Sequence, residues 1–223
     1  MIDIRVFYHK TGRARYISHL DMMRCMQRAI VRAKLPVWYT EGFNPHIYLT
    51  FALPLSLGYE SKSEVMDLRL TDEDFSLDEV TLRLNAALPP DIHVVSTQKI
   101  VHKPQAITHA IYTIQLFAGE QSPEELRTQF CAFMNSDQIL VEKRAKQGRR
   151  KITKQIDIRP MCELISCETA EDSVKLTLKT EAGIQSNLNP SLLLEAFTAF
   201  NEQAIRWQIC RETLLMADGT SFC

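Results

Sequence analysis

The 223-residue sequence contains little that would support flexible linkers or a membrane span. With only 7 glycines and 9 prolines, long unstructured connections are not expected. No apolar stretch approaches the roughly 20 residues that a membrane helix needs. The first ten residues alternate apolar and polar side chains instead of forming a signal-peptide core. A cytoplasmic protein without membrane association is therefore expected.

Motifs for metals, cofactors and covalent catalysis are also missing. The six cysteines form no C-x-x-C pair, so neither a paired zinc array nor a C-x-x-x-C-x-x-C cluster loop is present. A glycine-rich phosphate loop and a specific Ser-His-Asp arrangement are absent too. We therefore expect reduced, mostly buried thiols, no metal and no cofactor.

Periodicity and capping residues predict a mixed α+β chain. The first half reads as a strand over 2–8, a helix after Ser18, extended segments over 37–40 and 47–51, a strand over 65–70, a helix after Ser76 and a strand over 92–97. The second half repeats this order from residue 110 to residue 215. The doubled β-α-β-β-α-β order predicts two ferredoxin-like (split βαβ) modules in tandem, over residues 1–102 and 108–223. A single mixed α/β domain also fits the order of elements.

Basic residues are concentrated in two segments, although the net charge is only −1. From Arg5 to Lys34 there are eight lysines and arginines against one acid, Asp21. From Lys143 to Lys154 there are seven in twelve positions and no acid. A near-neutral total therefore hides a strongly polarised surface.

The first basic segment contains two candidate anion sites. Arg24, Arg28 and Arg32 follow one another at i, i+4 and i+8, which places them along one helix face. Like charges at this spacing repel each other, while guanidinium groups match phosphate and carboxylate well, so the row indicates an anionic partner. A solvated helix face would explain the same spacing. The loop before this helix is the second candidate, because free N–H groups at a helix N-terminus favour an anion. Its candidate residues are Arg13, Arg15, Tyr16, Ser18 and His19.

The turn over residues 39–46 is the third candidate. Glycine, asparagine and proline are ordinary turn residues, but a turn does not require the aromatic side chains beside them, which suit base stacking. The candidate residues are Tyr39, Phe43, Asn44 and His46. In an alternative interpretation, His19 or His46 acts with Tyr39 as the acid–base groups of a metal-independent endoribonuclease.

The second basic segment, over residues 143–154, is the fourth candidate. It lies between two predicted strands, so it is either a solvated hairpin tip or a finger that contacts a nucleic-acid backbone. The candidate residues are Arg144, Lys146, Arg149, Arg150, Lys151 and Lys154.

The run GRARYISHLDMMRCMQRAIVRAKLP, followed by YTEGFNPHIYLTFALPLSLGYESKSEVMDL, resembles the radical SAM-linked protein family. This is a domain of unknown function, found alone or fused to radical SAM proteins. The likeness continues through Lys154, Asp157 and Arg159 to Arg211, and Arg159 joins the candidate anion contacts through it. The resemblance implies association with a radical SAM enzyme and RNA- or ribosome-related work.

The leading hypothesis is a non-catalytic RNA-binding or substrate-presenting accessory protein for a radical SAM enzyme supplied in trans. The endoribonuclease is one alternative. The other is a protein-docking module without nucleic acid, in which the acidic segment over 72–79 or an apolar surface meets a partner.

Overall fold

The computed structural model describes residues 1–147 and 150–223, and the side chains of residues 1–142 and 154–223. The predicted anion contacts Arg144, Lys146, Arg149, Arg150 and Lys151 therefore lie outside the described side chains. The described residues contain ten strands and four α-helices, which confirms the predicted mixed α+β class. Within these ranges, no helix is long and apolar enough to cross a membrane.

Strands and helices follow one another in nearly the predicted order. The strands are β1 (Ile2–Lys10), β2 (Leu49–Phe51), β3 (Glu60–Leu70), β4 (Ile92–Lys99), β5 (Ile107–Phe117), β6 (Leu140–Gln147), β7 (Arg150–Asp157), β8 (Cys162–Thr169), β9 (Ser173–Glu181) and β10 (Arg206–Met216). The helices are α1 (His19–Arg32), α2 (Leu77–Ala87), α3 (Pro123–Met134) and α4 (Pro190–Asn201).

Side-chain caps explain why the helices start where they do. The hydroxyls of Ser18, Ser76 and Ser122 each accept a hydrogen bond from the backbone N–H three residues later. Asn189 caps α4 by accepting from the N–H of Ser191. Each cap satisfies one of the N–H groups that the first turn of a helix leaves without an intrahelical partner.

The chain divides into two compact units. The first contains Met1–Ala106, Cys210–Thr213 and Thr220–Cys223, and the second contains Ile107–Ile209 and Leu214–Gly219. This division differs from a simple boundary near residues 102–108, because two short segments from the end of the sequence belong to the first unit. Strand β10 therefore contributes residues to both units.

In the first unit, β1 lies between β4 and β3 and pairs with both in the antiparallel direction. The short strand β2 also pairs with β3 in the antiparallel direction. Near the start of β3, Cys210 and Arg211 of β10 pair with it in parallel. Helices α1 and α2 share one core with the sheet residues Ile4, Val6 and Met66, so both helices cover the same face of the sheet.

The opposite face of β1 and β3 carries two ion pairs. Arg5 is fully buried and holds Asp67 through two hydrogen bonds, from Nε to Oδ1 at 2.8 Å and from Nη2 to Oδ2 at 2.9 Å. Arg69 holds Asp3 in the same way, at 2.6 and 3.0 Å, but this pair is partly exposed. Because the partners stand directly opposite each other on neighbouring strands, both pairs follow from the register of β1 and β3.

Residues from the end of the sequence cover the buried pair. The Phe222 ring lies with its centroid 4.5 Å from the guanidinium carbon of Arg5, and Arg5 Nη1 donates to the Cys223 carbonyl at 3.2 Å. Arg211 of β10 donates to buried Glu64 and, at 3.0 Å, to the carbonyl of Leu53. These contacts explain why the two late segments belong to the first unit.

In the second unit the strand order is β10-β5-β9-β8, and β5–β9 and β8–β9 are antiparallel pairs. Helices α3 and α4 meet through Phe130, Phe133 and Phe197, with centroid distances of 4.9 and 5.4 Å from the Phe197 ring. Strands β6 and β7 form a separate antiparallel hairpin between α3 and β8.

Candidate anion-binding site

The exposed face of α1 presents the predicted row of arginines. Met22, Met26, Ala29 and Ile30 are buried against the sheet, so the positions between them turn outward. Arg24, Arg28 and Arg32 are all exposed. The spacing of four residues therefore places three guanidinium groups along one side of the helix.

These arginines line a groove of about 580 Å³. The α1 side is formed by Asp21, Arg24, Cys25, Arg28 and Arg32. The other side is formed by Ala87, Leu88 and Pro89, at the end of α2. Three guanidinium groups thus share the groove with one carboxylate.

The three arginines differ in how they are held. Arg24 Nη1 donates to Asp21 Oδ1 at 3.1 Å, and Arg32 Nη2 donates to the carbonyl of Ala87 at 2.7 Å. Within the described part of the chain, Arg28 has no hydrogen bond or ion pair. Arg28 therefore offers the most readily available positive charge in the groove.

The groove also contains two other titratable side chains, Asp21 and Cys25. A hydrogen bond from Ser18, reinforced by Arg24, lowers the pKa of Asp21 below its ordinary value and keeps it ionised. Burial raises the pKa of the Cys25 thiol, and the opposing effect of Arg32 and Arg28 does not cancel this. A thiol with a raised pKa is a poor nucleophile at neutral pH. The groove therefore combines three guanidinium groups with one ionised carboxylate and one thiol whose pKa is raised.

The loop before α1 is already occupied by carboxylates of the chain itself. Its Gly12 and Arg13 N–H groups donate to Glu60 Oε1 and Asp91 Oδ2, both at 3.1 Å. The Arg15 guanidinium lies 3.5 Å from Glu60 and stacks over the exposed Tyr16 ring at 4.8 Å. Of the predicted loop residues, Arg13 and Tyr16 are exposed. The Gly12 and Arg13 N–H groups are used in contacts within the chain itself.

Ser18 and His19 mark the junction between this loop and α1. Ser18 is used as the helix cap, and its hydroxyl also donates to Asp21 Oδ2 at 2.7 Å. The half-buried His19 ring packs edge-on against Phe51, with 5.1 Å between the centroids. Both residues therefore make structural contacts, and their assignment as anion-binding residues stays a prediction.

The aromatic turn is exposed. Tyr39 pairs with Ile47 through an isolated bridge, and the turn between them carries Phe43, which is fully exposed. His46 Nδ1 lies 3.0 Å from Thr40 Oγ1 and 3.1 Å from the carbonyl of Asn44, so this ring nitrogen contacts groups of the turn itself. The assignment of Tyr39, His19 and His46 as acid–base groups stays a prediction.

The two candidate residues of the second unit whose side chains are described, Lys154 and Arg159, differ in their surroundings. Lys154 on β7 is exposed, and its predicted contact with an anion stays a prediction. Arg159 instead follows β7 and donates to the carbonyl of Cys162 at 3.2 Å. Its guanidinium therefore stabilises the local turn.

The sequence did not indicate which residues would face the arginine row. The wall formed by Ala87, Leu88 and Pro89 depends on how α2 packs beside α1, which local sequence patterns do not report. Buried charge was also missed: Lys10, Glu64 and Arg211 are all at least 96% inaccessible to solvent. Among the described residues, no group of three or more His, Cys, Asp or Glu side chains is placed to hold a metal ion.

Comparison with known proteins gives a fold likeness and a family. A chain in the crystal structure of a Cbf5-Nop10-Gar1 complex is similar, with a TM-score of 0.50 and 8% sequence identity. The alignment covers 95% of this chain and 48% of that one, so this chain spans about half the length of its structural relative. At this identity the likeness concerns the fold alone.

No curated protein sequence matches the chain. Residues 3–190 match the model of the family described as "Uncharacterized protein conserved in bacteria (DUF2344)". The match covers most of the 223 residues. The chain therefore belongs to this bacterial family.

Proposed function

We propose that this protein is an RNA-binding accessory protein that presents RNA to a radical SAM enzyme in the cytoplasm. The observation that carries the proposal is the groove in which Arg24, Arg28 and Arg32 lie along one helix face beside a single carboxylate. Repeated charges along a helix lower its stability. An anion with regularly spaced charges, such as a phosphate backbone, offsets that repulsion.

Arginine is well suited to this contact. Its planar guanidinium remains charged at physiological pH and can donate two hydrogen bonds to one phosphate. Arg28 has no competing acceptor among the described residues, and Arg24 and Arg32 are held in place on either side of it. Arg28 can therefore donate to a phosphate without first breaking a hydrogen bond of its own.

The accessory role rests on the family resemblance. The sequence has no cysteine spacing for an iron–sulfur cluster, so the proposal assigns the radical chemistry to a separate enzyme. In this arrangement, the chain holds RNA while the partner modifies it.

We further propose a ferredoxin-like arrangement for each unit. In the first unit, β1 lies between β4 and β3, and β2 pairs with β3. In the second unit, β5 lies between β10 and β9, and β8 pairs with β9. The first strand of each unit thus neighbours the third and the last, which supports the split βαβ description. The β6–β7 hairpin is then an insertion.

Fluorescence anisotropy with labelled RNA fragments tests the proposal. Binding should weaken linearly on a logarithmic plot against salt, and Arg28→Ala should reduce the magnitude of the slope by about one phosphate contact. Arg83→Ala is the matched control. It removes the same charge from α2, outside the groove, where Arg83 pairs with Glu79 at 2.6 Å. Absence of RNA binding, or equal effects of the two substitutions, would refute the proposal.

A further inference from the structure

The two walls of the groove have different chemistry. The α1 wall carries three guanidinium groups, whereas the α2 wall consists of Ala87, Leu88 and Pro89. Pro89 is exposed, and Ala87 and Leu88 are half-buried because they also pack against the core. A ligand that fills the groove therefore meets positive charge on one side and an apolar surface on the other.

The first and last arginines of the row each contact a neighbour within the described residues. Asp21 holds Arg24 at the start of the row, and the Ala87 carbonyl holds Arg32 at its end. The Arg32 contact also joins the two walls, since it runs from α1 to the last residue of α2. Arg28, between them, faces the groove without a partner among the described residues. The strongest anion contact is thus expected at the middle of the groove, opposite the apolar wall.

A ligand with a charged side and an apolar side fits this arrangement. An unpaired nucleotide has its phosphate on one side and an accessible base and sugar on the other. In an RNA duplex the bases are paired and stacked inside, and the accessible surface is formed by phosphates and sugar hydroxyls. A duplex would leave the apolar wall unused.

We infer that the groove between α1 and α2 binds unpaired RNA, with a phosphate on Arg28 and the adjoining base against Leu88 and Pro89. The inference rests on the proposed function and specifies its substrate class. With this arrangement, the groove distinguishes single-stranded RNA from duplex RNA. Any preference for sequence then depends on other contacts.

Two RNAs of equal length, one single-stranded and one folded into a hairpin duplex, provide the comparison. The single strand should bind the intact chain at least several-fold more tightly at the same salt concentration. Arg28→Ala should weaken single-strand binding by ~10-fold or more, as expected for the loss of a charged hydrogen bond. Pro89→Ala should weaken single-strand binding a few-fold and leave duplex binding unchanged. Arg83→Ala again serves as the control.

Cross-linking locates the base without relying on a folded variant. An oligonucleotide containing 4-thiouridine should cross-link to the tryptic peptide over residues 84–99, which contains Leu88 and Pro89. A duplex that binds as tightly as the single strand, or cross-links confined to other peptides, would overturn this inference while leaving RNA binding intact. Absence of binding to either RNA would instead overturn the proposed function.

Discussion

Breaking the buried Arg5–Asp67 pair should destabilise the protein strongly. Asp67→Ala leaves the Arg5 guanidinium inside the first unit without its carboxylate, and Arg5 has no exposed surface from which to regain water. Removing one partner of a buried ion pair costs about 3–5 kcal/mol because the remaining charge is uncompensated. For a chain of this length, that corresponds to a fall in melting temperature of roughly 6–20 °C.

The Asp3–Arg69 pair provides an internal control on the same two strands. It has the same two-point geometry, but the side chains are 44% and 32% exposed, so water and salt screen the interaction. Asp3→Ala should therefore cost no more than about 1 kcal/mol. Because the two pairs have the same geometry, the difference between their losses of unfolding free energy measures the effect of burial.

Urea unfolding followed by tryptophan fluorescence measures both changes. The chain has two tryptophans, and replacing Trp207 by phenylalanine leaves Trp38, which lies in the first unit, as the reporter. The double variant Arg5→Met, Asp67→Leu should recover most of the lost stability, because an apolar pair leaves no buried charge. The reasoning is refuted if Asp67→Ala costs no more than Asp3→Ala.

Two further predictions concern buried or half-buried groups of β1. Tyr8→Phe should raise the free energy of unfolding by about 1–3 kcal/mol, because the Tyr8 hydroxyl is buried without a hydrogen-bond partner among the described residues. A lower unfolding free energy in urea would contradict this prediction. Burial, assisted by His93 and Lys62, lowers the pKa of His9, so the unfolded state binds a proton more readily. Stability should therefore fall as the pH drops from the ordinary histidine pKa through the lowered one, and His9→Gln should flatten that dependence. An NMR titration that gives His9 an ordinary or raised pKa would exclude this explanation.

Local signals predicted most helices and strands because their causes lie within a few residues. Ser18, Ser76 and Ser122 could be recognised as caps from the polar or acidic residues after them, and the structure places helices directly behind all three. The start of β3 was less predictable. Its first residues look like a polar loop, yet Ser61 and Glu64 are buried in the strand. Ser61 and Glu64 are buried by residues distant in the sequence, and hydrophobic periodicity carries no information about such contacts.

The candidate site could likewise be predicted only in part. Helical spacing alone predicted that Arg24, Arg28 and Arg32 share one face. The apolar wall opposite them arises from the packing of α2 beside α1, and no pattern around Pro89 indicates that contact. Similarly, nothing near Arg211 identifies Glu64 as its partner, because 147 positions separate the two residues along the chain.

That separation has a consequence for how the protein is made. Ribosomes add about 5–20 residues per second, so Arg211 is synthesised roughly 7–30 s after Glu64. During this interval Glu64 lacks the guanidinium that it meets in the folded unit, and the Arg5–Asp67 pair lacks the Phe222 ring. A nascent chain therefore carries an incomplete first unit until its last strand emerges. Although most of its residues are made first, this unit is completed no earlier than the second.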